Sequence, residues 1–263
     1  MITFACFVPH SPILIPEIGK KNLDKLKDTV KAYKNLEEDL YVAKPDLIII
    51  ISAHANSQGG QFFTINQSPQ LDLNFKKFGD LLTKVTLKND VGFGYKVKES
   101  CDDFFPIMLI ADQELDYGSG VPLFYLTEHL RQTKIISVGY ADLPYQDHLK
   151  FGQLIRKQIN LSGQRVAIIA SGDLSHKLHK DSPAGYSERA QEFDQTIIKL
   201  IQEKDIDKII DMDHELIKES GECGLRSLLI LLGIIREMNY QPAQLSYQAP
   251  FGIGYLVENF QIK

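Results

Sequence analysis

The stretch "PDLIIIISAHAN", residues 45–56, sets an unbroken run of branched apolar side chains, Leu47 to Ile51, directly before a polar exit that carries His54. Apolar continuity without alternation is the signature of a strand buried on both faces of a parallel sheet. Parallel neighbours need crossover connections, usually helices. The flanks supply them: "MITFACFV" (1–8) reads as an earlier strand, and "NLDKLKDTVKAYKNLEEDLYVA" (22–43) carries apolar residues at helical spacing between the two. Downstream, "TKIISVGY" (133–140) is a third strand, "DHLKFGQLIRKQIN" (147–160) a helix, and "QRVAIIASGDLSH" (164–176) a fourth strand with a polar exit. Helical spacing returns in "SERAQEFDQTIIKLIQE" (187–203) and in the shorter "DIDKIIDMD" (205–213), and "GECGLRSLLILLGIIREM" (221–238) reads as a buried helix. The tail, "AQLSYQAPFGIGYLVENFQI" (243–262), alternates around a Pro-Phe-Gly turn as a hairpin does. The expected fold is α/β: a single domain over residues 1–263, with a central, mostly parallel sheet flanked by helices.

Composition narrows the function. The 263 residues are 44% hydrophobic and 24% charged, as in ordinary folded globular chains. A net charge of -5 with scattered lysines forms no basic stripe for phosphates, which argues against a nucleic-acid partner. The apolar runs fall short of the ~18 residues that suggest a membrane span, and no basic-then-apolar leader opens the sequence. No membrane and a cytoplasmic location are therefore expected. Cys6, Cys101 and Cys223 are far apart and lack CxxC spacing, which fits a reducing compartment better than a disulfide framework.

Three histidines stand at strand exits: His10 after the first strand, His54 after the second and His176 after the fourth. Ligands of open α/β sheets bind outside the carboxyl ends of the strands, so these side chains are expected to converge on one site there. Pro9 and Pro12 flank His10 and stiffen its loop. His129, His148, His179 and His214 read instead as solvated or hydrogen-bonded residues outside the site. Imidazoles suit zinc, copper, iron or nickel, and two histidines with one carboxylate form the non-haem Fe(II) pattern. Glu222, just before the long apolar helix, is the candidate carboxylate; helix-start capping is its competing role, and Cys223 is the rival ligand because thiolates bind borderline metals.

Taken in order, "VPHSP" (8–12), "SAHAN" (52–56), "LDYGSGVPLFYL" (115–126), "ASGDLSHKL" (170–178) and "GECGLRSLL" (221–229) resemble the LigB superfamily, which holds the class III extradiol ring-cleavage dioxygenases and their Memo relatives. The subgroup they resemble most is AmmeMemoRadiSam system protein B. The resemblance implies Fe(II) held by His10, His54 and Glu222, with another divalent metal such as zinc as an alternative. It implies His176 as the acid/base histidine and an aromatic diol plus O2 as substrates. Where many ring-cleaving members have Asp-His-Gly, this chain has Asp116, Tyr117 and Gly118, so Tyr117 takes the place of a second acid/base histidine. Where Memo proteins have Cys-Gly-Arg, Leu225 separates Gly224 from Arg226; the intact triad favours Glu222 over Cys223.

The leading expectation is thus an extradiol dioxygenase. The alternative is a Memo-like metal-binding redox or partner-binding protein working with AMMECR-type and radical SAM proteins. A zinc hydrolase ranks last, because no HExxH or paired-aspartate pattern supplies a water-activating carboxylate. A homo-oligomer is left open, since "LLILLGII" reads as core rather than as a dimer face.

Overall fold

The computed structural model describes residues 1–55 and 60–263; Asn56 of the second motif lies outside them. Among the described residues the strands are β1 (Ile2–Val8), β2 (Leu47–Ser52), β3 (Phe63–Asn66), β4 (Gln70–Phe75), β5 (Asp80–Lys88), β6 (Ile107–Ile110), β7 (Lys134–Gly139), β8 (Val166–Ser171), β9 (Tyr240–Gln248) and β10 (Tyr255–Ile262). The helices are α1 (Pro16–Gly19), α2 (Lys27–Ala43), α3 (Val91–Cys101), α4 (Tyr117–Leu126), α5 (Tyr145–Ser162), α6 (Ala190–Glu203), α7 (Ile206–Ile210), α8 (His214–Ser220) and α9 (Leu225–Ile235).

Eight strands form one sheet in the order β6-β3-β7-β2-β8-β1-β10-β9, and β4 and β5 make a separate hairpin. Its centre, β7-β2-β8-β1, is parallel throughout. Antiparallel pairs join β3 to β7 on one side and β10 to β1 on the other. All six residues of β2 are buried. Leu47, Ile49 and Ile51 enter one core, and Ile48 and Ile50 enter the other. This two-sided burial is why the strand reads as continuously apolar.

The first core lies under α3, α5, α6 and α9, and the second under α2, α4 and the β4–β5 hairpin. On the first face α5 and α9 approach closely: a Cβ at Gly152 would stand 2.1 Å from the Ile230 carbonyl oxygen, and one at Gly233 2.1 Å from that of Leu149. The order β2-β8-β1 sets three parallel exits side by side, and the functional side chains gather there.

Candidate metal centre

β1 ends at Val8, and the chain turns through Pro9 into His10. The Tyr33 hydroxyl of α2 donates to the Pro9 carbonyl, and the His10 N–H donates to Asp173 Oδ1 at 3.0 Å. His10 is thereby held at 2% exposure. β2 ends at Ser52, whose hydroxyl accepts the His54 N–H (3.1 Å) and donates to Asp116 Oδ1 (2.6 Å). Asp116 caps α4 through the Ser119 N–H, which fixes Tyr117 at the first helical position. β8 ends at Ser171, and Gly172 follows. A Cβ on Gly172 would lie 2.1 Å from the Gly224 Cα, so two glycines in contact let the chain before α9 press against the β8 exit. That contact delivers Cys223.

The outcome is a tight group. His10 Nε2 and His54 Nε2 are 3.2 Å apart, and Cys223 Sγ is 3.5 Å from His10 Nε2. The three donor atoms all lie within 4.8 Å of one another. Ligands about 2.0–2.3 Å from a shared ion at ordinary coordination angles are separated by roughly 3.0–3.7 Å, so the two short separations suit a zinc- or iron-like ion.

Protonation agrees. Burial lowers His10 to about 3 and His54 to about 4, so both imidazoles are neutral at pH 7. The tautomer of His10 follows from its neighbour. The single hydroxyl hydrogen of Ser171 goes to the Gly118 carbonyl, so Ser171 Oγ accepts from His10 Nδ1 at 3.0 Å. Nδ1 therefore carries the proton and Nε2 presents its lone pair to the group, the orientation that metal-bound histidines require. Burial raises the Cys223 thiol, while the Asp173 N–H points at its sulfur from 3.4 Å. A thiolate there needs a nearby cation, and a bound metal supplies one.

Glu222, the expected carboxylate ligand, is not in this group. Its Oε2 accepts the Leu225 N–H at 2.6 Å, at the start of α9, where an anion is favoured by free N–H groups. Burial raises it to about 7. The structure thus brings together His10 and His54 as expected and places Cys223, not Glu222, beside them.

Tyr117 stacks on the His54 ring (centroids 4.3 Å apart), with its hydroxyl 2.8 Å from Nε2. Burial raises its pKa above the ordinary phenol value, so it stays protonated. His176 reaches the same place through Asp173: its Nε2 lies 3.9 Å from Asp173 Oδ2, which is itself 3.8 Å from His10 Nε2. Its Nδ1 is buried with no hydrogen-bond partner among the described residues. Asp173 was missed by sequence reasoning, although it sits inside "ASGDLSHKL", because an aspartate after glycine reads as a turn residue. Burial raises it to about 6, against opposing pulls from His176, the His10 N–H and His54. A cavity of about 470 Å3 opens on His54 and Asp116. His148 is fully buried elsewhere, its ring nitrogens facing the Pro144 and Ala141 carbonyls. His179 is exposed.

An α/β domain with two neutral imidazoles and a thiol at the exits of its parallel strands belongs to the class that could hold a metal at the carboxyl edge of the sheet. Comparison with known families makes this specific. Residues 4–258 match the model described as the catalytic LigB subunit of aromatic ring-opening dioxygenase, and the chain belongs to that family. It is 27% identical over 258 residues to Protein CA_C1420 of Clostridium acetobutylicum, covering 94% of this chain and 55% of that protein, so it spans about half that relative's length. It is 31% identical over 261 residues to 3,4-dihydroxyphenylacetate 2,3-dioxygenase of Escherichia coli, covering 89% of this chain and 90% of the relative. The fold matches the uncharacterized protein JW3007 of Escherichia coli K12 with a TM-score of 0.70 at 15% identity, over 98% of this chain and 99% of that one. Among the described residues no helix is long and apolar enough to cross a membrane.

Proposed function

We propose that the chain is an extradiol-type dioxygenase that opens the ring of a catechol-type aromatic diol with O2, using a divalent metal held by His10, His54 and Cys223. The observation that carries this reading is the convergence of those three donors beside His176 and Tyr117, with His54 also lining a cavity large enough for a substituted aromatic ring. Membership of the ring-opening family and the 31% identity to a protein named as a diol dioxygenase support it.

The metal, Fe(II) in the first instance, would acidify the diol and hold it next to O2. The remaining work falls to this chain. His176, whose Nδ1 has no hydrogen-bond partner among the described residues and whose Nε2 lies 3.9 Å from Asp173 Oδ2, takes a hydroxyl proton from the diol and returns it as the ring opens; an imidazole suits both tasks near neutral pH. Tyr117 stays a phenol and donates a hydrogen bond to a substrate oxygen. Asp173 orients both His10 and His176.

The decisive experiment is O2 uptake by anaerobically purified, Fe(II)-loaded protein offered a panel of catechols. Uptake that yields a ring-opened product and vanishes in His54→Ala and His176→Ala supports the reading. Tight metal binding, lost in His54→Ala, without uptake from any catechol overturns it. The thiol in the ligand group favours a second reading in that event: a Memo-like metal protein without ring cleavage, acting with AMMECR-type and radical SAM partners.

A further inference from the structure

The cavity at His54 has a chemically uneven lining. Ile110 and Leu115 give it apolar flanks, and the charged side chains lining it among the described residues are Lys77, Asp112, Glu114 and Asp116. These four are not equivalent. The Asp116 carboxylate is committed to the Ser52 hydroxyl and to the Ser119 N–H and hydroxyl. Asp112 and Glu114, on the segment leaving β6, and Lys77, in the turn between β4 and β5, are exposed and so mark the solvent end. Among the described residues their charged groups form no ion pair or side-chain hydrogen bond. Two carboxylates against one ammonium leave that end with a negative excess, and a concave wall concentrates its field on whatever occupies it.

We infer that the solvent end of this cavity selects a ring substituent bearing an ammonium group over one bearing a carboxylate. The inference rests on the ring-opening reading above and adds the substrate's charge class. A diol whose hydroxyls face His54 directs its substituent away from the donor group, toward Asp112 and Glu114. Complementary charge there sets which substituent is accepted, and like charge excludes the wrong one. Because the charges are at the mouth, the preference is salt-sensitive.

Three catechols differing only in the 4-substituent test this: 2-aminoethyl, ethyl and carboxymethyl. Their dissociation constants are measured by calorimetry on the full chain loaded with Zn(II), a redox-inert probe that allows binding without O2 chemistry. The expected order is aminoethyl tightest and carboxymethyl weakest, with about a tenfold span at low salt that contracts at 0.5 M salt. Changing Asp112→Asn and Glu114→Gln together is expected to collapse the span to about twofold or less, and Lys77→Gln to widen it. None of these residues belongs to the donor group, so metal content stays unchanged. Equal binding of the three, carboxymethyl binding tightest, or a span unmoved by the variants overturns the inference and leaves the ring-opening reading standing. Failure to bind any of the three overturns both.

Discussion

His10 has chemically distinct ring nitrogens because of one hydroxyl. Ser171 gives its proton to the Gly118 carbonyl and so must accept at Nδ1 of His10. Ser171→Ala removes that acceptor, and metal affinity is expected to fall by about 10–100-fold, the usual effect of losing such an outer hydrogen bond; competition with a chromogenic chelator measures it. Cys223→Ala is expected to abolish tight binding by the same assay, whereas Glu222→Gln, which keeps an oxygen for the Leu225 N–H, is expected to retain it. Metal retained by Cys223→Ala and lost by Glu222→Gln would restore the carboxylate triad. At this scale the sequence was partly legible. His10, His54 and His176 could be found because each follows an apolar strand. The choice between Glu222 and Cys223 could not, since adjacent loop residues face different ways and only the Gly172–Gly224 contact decides which one meets the histidines.

The elements were legible where burial is two-sided. β2 and β8 are fully buried and β7 is buried except at Lys134, and these strands could be recognised without their neighbours. β3 and β6 are four residues each, too short for a periodic signal, and the β4–β5 hairpin is partly exposed; none of these was anticipated. That gap includes one wall of the cavity. Packing between elements makes two further expectations. Gly152→Ala and Gly233→Ala each force a Cβ into a facing carbonyl between α5 and α9, and are expected to destabilise the fold by about 1–3 kcal/mol or more in urea titrations. Gly172→Ala moves the chain before α9 instead, so a loss of metal affinity out of proportion to its loss of stability is expected. Equal effects of all three on metal binding would show that the glycine pair at the strand exits has no special part in placing Cys223.

For the molecule as a whole, one buried acid gives a separable response to pH. Glu258, fully buried on β10, has one oxygen held by the Gln202 amide and the other without a partner among the described residues. Burial raises its carboxyl from 4.5 to about 7. The folded state therefore holds this proton more tightly than the unfolded chain, and its stabilising share is complete below pH 4.5 and lost as pH rises through about 7. Glu258→Gln cannot titrate, so its stability relative to the unmodified chain is expected to rise by about 2–3 kcal/mol between pH 5 and pH 8, at roughly 1.4 kcal/mol per pH unit. Urea midpoints at the two values measure it, and a constant difference would mean that the buried carboxyl is already charged at pH 5.

The position of β1 has a kinetic meaning. Although it comes first in the chain, it lies between β8 and β10, partners that begin at Val166 and Tyr255. Its parallel pairing sets Ile2 against Val166, and long-range closure of this kind is slow. The donor group, drawn from positions 10, 54 and 223, depends on the same long-range closure. Capture of an ion by all three donors would therefore report that β1 has been inserted beside β8.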